Sequence, residues 1–473
     1  MKQEQTMADP IIGETEDRAL KKSFRSIDVI ALAFGSMIGW GWIMLCGKWA
    51  VDGGTVGAII AFAIGSLLCI FVGMTYAELT PALPAAGGGV IFSLKSMGKT
   101  AALVAGLATT LAYLGVASWE GPALVSSIAY LVPVPEIGYL WTIQGQDVYL
   151  SWTFIAVGMA VVLTYINVRG AKQTAVFQTV ATIGIVFVGL LFLSGGLLFG
   201  NVEYTKPLFT STAGLMSVLL VVPAMFVGFD VIPQAASEMS VPLKKIPGIL
   251  VLSIVAAAMW YILMILATTL SAPSIIRESG VIPVADSMAY AFGSPFWGKI
   301  CIIGALCGII TSWNGFLFGS ARCLYSMSKL GLLPAALAKT HPKYQTPYVA
   351  VCFCGIVCIL TAFLGKGALV WFVDASSFGT VIMYAMVVLS FIVLRVKEPN
   401  MKRPYRIKNG KLIGILAASV VVFFVYLYLP MGPSSLNGVE WFMVLLWFVL
   451  GFAIYGIYRF HNSNHSNASE QAR

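Results

Sequence analysis

A chain of 473 residues that is 59% hydrophobic and only 10% charged is not a soluble globular protein, in which close to a quarter of residues are charged. Its mean hydropathy of +0.88 instead fits helices that each present apolar surface to lipid over about 20 residues. The net charge of +9 points to no nucleic-acid partner, because the cations lie between apolar runs, where membrane topology puts them.

The chain opens on a polar tail, 1–26, followed by an apolar run too long for a cleaved signal. Apolar runs and their breakers predict twelve spans, near 27–50, 54–79, 100–131, 150–168, 173–199, 214–237, 247–271, 297–327, 347–364, 368–394, 411–430 and 440–459. A second polar tail, 461–473, ends the chain. The third and eighth runs are long enough to require strong tilt.

An even span count puts both tails on one side, and the cations then separate cleanly. All but five of the 29 Lys and Arg residues fall on the side of the tails; the exceptions are Lys48, Lys206, Arg277, Lys299 and Lys366. The positive-inside rule makes both tails cytoplasmic, and the expected location is a plasma membrane, the bacterial cytoplasmic membrane. The sequons at Asn464 and Asn467 then lie in a cytoplasmic tail and are discounted.

The eight cysteines sit in or beside apolar runs, and Cys352 and Cys354 are too close for a redox or zinc pair. His341 lies in a loop, and His461 and His465 in the last tail. No metal set and no cofactor are expected, and Gly87-Gly88-Gly89 lacks the lysine and strand of a phosphate loop. No catalytic dyad or nucleotide-binding domain is visible, so neither a membrane enzyme nor an ATP-driven pump is expected.

Two runs are interrupted. The first carries Gly35, Ser36, Met37, Ile38, Gly39, Trp40 and Gly41 at mid-membrane depth. Each glycine costs a helix about 1 kcal/mol relative to alanine, and non-helical backbone at that depth must line a cavity or pack on protein. Gly35 and Gly39 also fit a small-residue packing seam, but Ser36 and Gly41 lie off it. The sixth run carries Phe226, Val227, Gly228, Phe229 and Asp230 between Pro223 and Pro233. Gly228 follows Gly39 by five spans, an odd number, so the second half enters from the opposite face. Matching breaks in inverted halves predict a substrate site at the midplane.

At these motifs the sequence resembles the amino acid–polyamine–organocation superfamily of permeases, from about 25 to 460. Gly35 to Trp42 is similar to its first-span motif, with Trp42 in place of the last isoleucine. Tyr76 to Leu79, Pro84 and Gly87-Gly88 resemble the second-span exit; Gly228-Phe229-Asp230, Glu238 and Pro242 to Pro247 the sixth-span region; and Ser320 to Tyr325, Gly331 to Pro334 and His341-Pro342 the eighth-span exit. The resemblance implies an all-α polytopic fold of twelve transmembrane helices in a leucine-transporter-like five-plus-five inverted repeat, 27–200 and 201–395, with two further helices in 396–460. It also implies alternating-access transport of amino acids or related amines, by symport or exchange, in a monomer or homodimer. A channel or facilitator for a small polar solute is the alternative.

Carried over residue by residue, the backbone of Ser36, Gly39 and Gly41 would receive a substrate carboxylate, with Met37, Ile38 and Trp40 beside it. The carbonyls of Phe226, Val227 and Phe229 would receive the amine. Trp313, Asn314 and Phe316 are candidates for the pocket wall. In the third span Tyr113, Val116, Ala117 and Glu120 share one helical face, and in similar permeases that face touches substrate. Glu120 is the ionisable group of an otherwise uncharged run from 101 to 135, and such a group is functional by default; the alternative is a glutamate reaching water at the outer end of a tilted helix. Desolvation favours a neutral carboxylic acid and an ammonium favours the carboxylate, so proton and amine would exclude one another at Glu120. Trp40 and Trp42 offer cation–π attraction or mere packing bulk.

Asp230 is expected either to cap a half-helix at the sixth-span bend or to touch substrate. Glu78 and Glu238 are expected as gate or loop anchors at cytoplasmic helix ends, and Asp374 near the outer gate. Some members of the family carry a fifth-span lysine in place of a sodium ion; here 177–200 holds no cation, and Ile185 lies where that lysine is expected. A proton is therefore left as a possible coupling ion without that lysine. The less favoured sodium site would use carbonyls near Phe34 and Met37 with Thr311 and Ser312. Exchange without a coupling ion stays open.

Overall fold

The structure, a computed structural model, describes residues 20–471, with side chains to 461. Lys2, Arg18 and Arg473 of the charge argument, and the Asn464 and Asn467 side chains, lie outside the described residues. The first long apolar run forms two helices, α1 (Ser26–Met37) and α2 (Gly41–Gly53), whose axes differ by 51°. There follow α3 (Thr55–Ala82), a short α4 (Gly89–Met97) and α5 (Lys99–Leu131). A hairpin of β1 (Tyr139–Ile143) and β2 (Gln146–Tyr149) then leads to α6 (Leu150–Arg169) and α7 (Ala171–Phe199). The second half runs α8 (Thr212–Met225), α9 (Val231–Gln234), α10 (Ile246–Ser271), α11 (Ser274–Ser279), α12 (Pro283–Ala291), α13 (Pro295–Lys329), α14 (Tyr348–Ala362) and α15 (Leu369–Lys397). It is followed by α16 (Gly410–Tyr428) and α17 (Gly438–Gln471).

Among the described residues, nine helices are long and apolar enough to cross a membrane, and the bent pair α1–α2 makes a tenth span. The sixth and ninth predicted runs appear as the shorter apolar helices α8 and α14. The sixth differs most from its sequence reading. Instead of one interrupted span over 214–237, α8 stops at Met225, five residues turn, and α9 lasts only four residues before a 3-10 turn at Ala236–Glu238. Pro223 in the last turn of α8 and Pro233 inside α9 deny the ladder its donors on both sides of the break.

Burial ranks the helices around the site. In the apolar window of α5, 78% of residues are buried, and in that of α13, 72%, against 11% in α17. Helices α5 and α13 therefore form the middle of the bundle, packed on each other, with α15 on the other side of α5. Polar residues that composition cannot rank as core lie on these central helices: Glu120, Thr311, Ser312, Asn314 and Arg322 are all buried.

Candidate substrate site

Helix α1 ends because its last carbonyl is taken from outside the helix. The Tyr261 hydroxyl of α10 donates to Met37 O at 2.9 Å, satisfying one of the acceptors that every helix C-terminus leaves over. Ile38 still donates to Phe34 O at 3.0 Å but adopts φ −104°, ψ 72°, and the chain leaves the helix there. Helix α2 restarts at Gly41 with no side-chain cap. The N–H groups of Gly39, Trp40 and Gly41 meet no acceptor among the described residues, and Gly39 and Trp40 are only half-buried. Free N–H groups at a helix start attract anions.

The second break lies directly against the first. Gly228 has φ +135°, a region closed to most side chains. A Cβ placed on it would stand 2.7 Å from Met37 N, and one on Gly41 would stand 2.8 Å from Met225 Sδ at the end of α8. Asp230 holds this turn: Oδ1 accepts from Gly228 N–H at 2.8 Å, and Oδ2 accepts from the Tyr113 hydroxyl. It stands at the N-cap position of α9 but makes no side-chain cap there. Its carboxyl reaches back across the break rather than forward into the short helix. Phe229 O accepts from Ile232 N–H at 3.2 Å, whereas Phe226 O and Val227 O accept no backbone hydrogen bond among the described residues.

Glu120 points at the first break. It is fully buried, and neither carboxylate oxygen has a hydrogen-bond partner among the described residues. A Cβ on Gly39 would stand 2.9 Å from Glu120 Oε1 and 3.0 Å from Ser312 Oγ. Ser312 thus offers the neighbouring hydroxyl. The glutamate does not reach water at a helix end. Trp40 packs edge-on against Trp119, ring centres 6.0 Å apart, and Trp42 likewise against Trp260 at 5.5 Å. All four indole N–H groups lack an acceptor among the described residues.

The other expected residues divide by face. Ser36 donates to Leu32 O at 2.6 Å within α1 and packs on Gly315. Ala117 is buried on α5 between Tyr113 and Glu120. Phe316 packs on the Tyr113 ring at 5.3 Å. Trp313 turns towards α14, its indole donating to Cys358 Sγ at 3.5 Å, while the edge of its ring lies beside Gly121 of α5. Ser312, one residue earlier, faces the break instead, as the helical step dictates.

Sequence reasoning missed the clamp behind α1. Asn167 Nδ2 donates to Asn314 Oδ1 at 2.8 Å, and Asn314 Nδ2 to Gln178 Oε1 at 2.7 Å. Gln178 Nε2 then donates to Thr311 O at 3.1 Å and to Ala31 O at 3.4 Å. The fifth run thus reaches α1 through Gln178, two helical turns before Ile185, which is buried among apolar neighbours, and through Thr179, which donates to Asp28 Oδ1 at 3.1 Å. Thr182 supports it with a bond to Ala31 O at 3.3 Å. The signal was present as a glutamine in an apolar run. The carbonyls named for sodium each already accept one hydrogen bond: Phe34 O from Ile38 N–H and Met37 O from the Tyr261 hydroxyl. Thr311 Oγ1 donates to Gly35 O at 3.1 Å and Gly308 O at 2.9 Å.

Below the breaks, at the end that carries Ser26, buried side chains pack closely. Ser23 and Phe24 N–H donate to Glu238 O at 2.8 and 3.1 Å, and the Phe24 ring meets Phe318 at 5.3 Å. Arg322 grips Glu238 with two bonds of 2.7 and 3.1 Å, both side chains fully buried, and lies over Phe318. Glu78 pairs with Arg395 and Arg403 and accepts Ile407 N–H at 2.9 Å. Asp374 lies half-buried near the other end of α15, beside Glu440.

A bundle of apolar helices crossed by two touching backbone breaks, with polar groups left over at their meeting point, defines a multi-pass membrane permease. The comparisons agree. The model of the amino acid permease family matches residues 24–454, and the chain belongs to that family, within the amino acid–polyamine–organocation superfamily. It is 26% identical over 464 residues to the branched-chain amino acid permease BcaP of Bacillus subtilis (strain 168), covering 96% of each chain. It is 25% identical over 461 residues to the methylthioribose transporter of the same organism, covering 95% of this chain and 96% of that one. It is 27% identical over 406 residues to the mouse cationic amino acid transporter 4, 83% of this chain and 62% of that one. The protein is a membrane transporter for amino acids or small organic solutes, not an enzyme.

Proposed function

We propose that the protein is a secondary transporter that binds an amino acid or small organic amine where α1–α2 and α8–α9 break, and passes it by alternating access. The observation that carries the reading is Glu120: a fully buried carboxyl without an ion-pair partner among the described residues, against the partly buried backbone of Gly39. An unpaired buried charge is costly, and a substrate ammonium would satisfy it. The free N–H groups at Gly39, Trp40 and Gly41 would take the substrate carboxylate, and the Phe226 and Val227 carbonyls would share the amine. Protonation of Glu120 competes with the ammonium, which makes it the candidate for proton coupling.

In this reading α1–α7 and α8–α15 are the inverted halves, α16 and α17 are additional, and α8–α9 and α14 complete twelve spans. Both tails are cytoplasmic, so the Phe24–Glu238–Arg322 contacts lie between the breaks and the cytoplasmic side. Counterflow in proteoliposomes tests the transporter against the channel: preloaded unlabelled substrate accelerates uptake of label by a transporter and leaves a channel's flux unchanged. The name of the methylthioribose relative favours a second reading, a neutral hydroxylated solute held by the four free indole N–H groups. An uptake screen containing both an amino acid series and a thio-sugar separates the two.

A further inference from the structure

Between α15 and α16 the membrane-facing surface opens into a groove of about 690 Å³. Ile392 lines one side, and Ile415, Ala418, Val422 and Tyr426 line the other. These four recur at helical spacing and form one stripe along α16. Lys411, one turn before Ile415, continues the same stripe into the connecting segment. The stripe from Ile415 to Tyr426 rises roughly 16 Å, about the hydrocarbon depth of one leaflet.

The segment at the head of the groove, 397–411, carries six cations and the single acid Glu398. Some of that charge is used internally: Arg403 pairs with Glu78, and Lys397 Nζ donates to Ser96 O at 3.2 Å. Lys402, Arg406, Lys408 and Lys411 are exposed and hold no ion pair among the described residues. Helix α16 begins at Gly410, so its free N–H groups also face this basic surface.

We propose that this groove is a binding site for one anionic phospholipid, with an acyl chain along the Ile415–Tyr426 stripe and the phosphate held between Lys408 and Lys411. Under the orientation given above the lipid belongs to the cytoplasmic leaflet. Charge and apolar depth occur together here, which a soluble anion would not use. A second copy of the chain, docked about a two-fold axis, would set one basic loop against another.

Native mass spectrometry of the purified protein, titrated with phosphatidylglycerol or phosphatidylcholine of equal chain length, tests this. The expected result is preferential retention of phosphatidylglycerol, undisturbed by millimolar inorganic phosphate. Lys408→Gln with Lys411→Gln lowers that preference roughly fivefold per cation removed, and Lys408→Arg with Lys411→Arg preserves it. Ala418→Trp, which fills the groove, lowers retention of the tight-binding lipid while leaving the basic loop intact. Equal retention of the two lipids by the native protein, or a preference that survives the double glutamine variant, overturns the proposal. So does a dimer whose mass is lost in Ala418→Trp, which would make a second copy the occupant.

Discussion

The carboxyl of Glu120 and the backbone of Gly39 meet so closely that a single added carbon on Gly39 would stand 2.9 Å from Oε1. One helix supplies an acceptor without a donor, and the other supplies donors without an acceptor. A zwitterion placed between them satisfies both.

Glu120→Gln removes the charge and keeps the shape. Losing one member of a buried charge pair costs about 2–5 kcal/mol of affinity, or roughly 30-fold or more, for an amine-bearing substrate. The native protein binds the amine through the carboxylate form, so its affinity rises with pH through the titration of Glu120; the glutamine variant shows a flat profile. Binding measured from pH 5 to pH 8 on both proteins checks this. Thermal stability of the empty variant should fall little, because Glu120 makes no ion pair among the described residues.

Gly39→Ala and Gly228→Ala separate binding from folding. The first places a methyl against Glu120 and Ser312 and abolishes uptake with little loss of thermal stability. The second forces φ +135° on an alanine whose Cβ meets Met37 N, at a cost of about 1–3 kcal/mol for the strain alone. A melting curve in detergent should fall by several degrees for Gly228→Ala only.

Tyr113→Phe strips Asp230 of one of its donors. An unsatisfied buried polar group costs about 1–3 kcal/mol, so this variant melts earlier. Because Asp230 holds the turn and touches Gly228 rather than Gly39, the loss appears in the transport rate more than in KM, and initial-rate uptake over a substrate range resolves the two.

Most of the membrane architecture was legible because span length and apolar run coincide. Eleven of the runs lie close to helices of the structure, while α8–α9 do not, since two prolines and a glycine leave only four helical residues after the break. The hairpin β1–β2 escaped a reading tuned to long apolar runs, although Gln144-Gly145 between alternating residues marks its turn. At the site, Gly39, Gly228 and Glu120 stood out because each violates the chemistry of a lipid-facing helix. Ser312 and Gln178 did not, since a serine or a glutamine in an apolar run becomes informative only when its helical face is known.

Gln178→Leu removes the donors to Ala31 and Thr311 and leaves the Asn314 amide unpaired. It should destabilise the protein by about 1–3 kcal/mol. An uncharged amide holds α1 against α13, and the carbonyls of Phe34 and Met37 each already accept a hydrogen bond. Replacing sodium by choline therefore leaves native uptake unchanged, which an isotope assay in matched buffers measures.

The central claim is that Glu120 recognises the amine of the substrate. Once uptake has identified a transported amino acid, its direct binding to purified native protein and to Glu120→Gln, compared with its deaminated analogue, is the most direct test. The account predicts that the native protein prefers the amine-bearing compound by 30-fold or more and that the preference largely disappears in the variant. Equal preference in both proteins at every pH would contradict it.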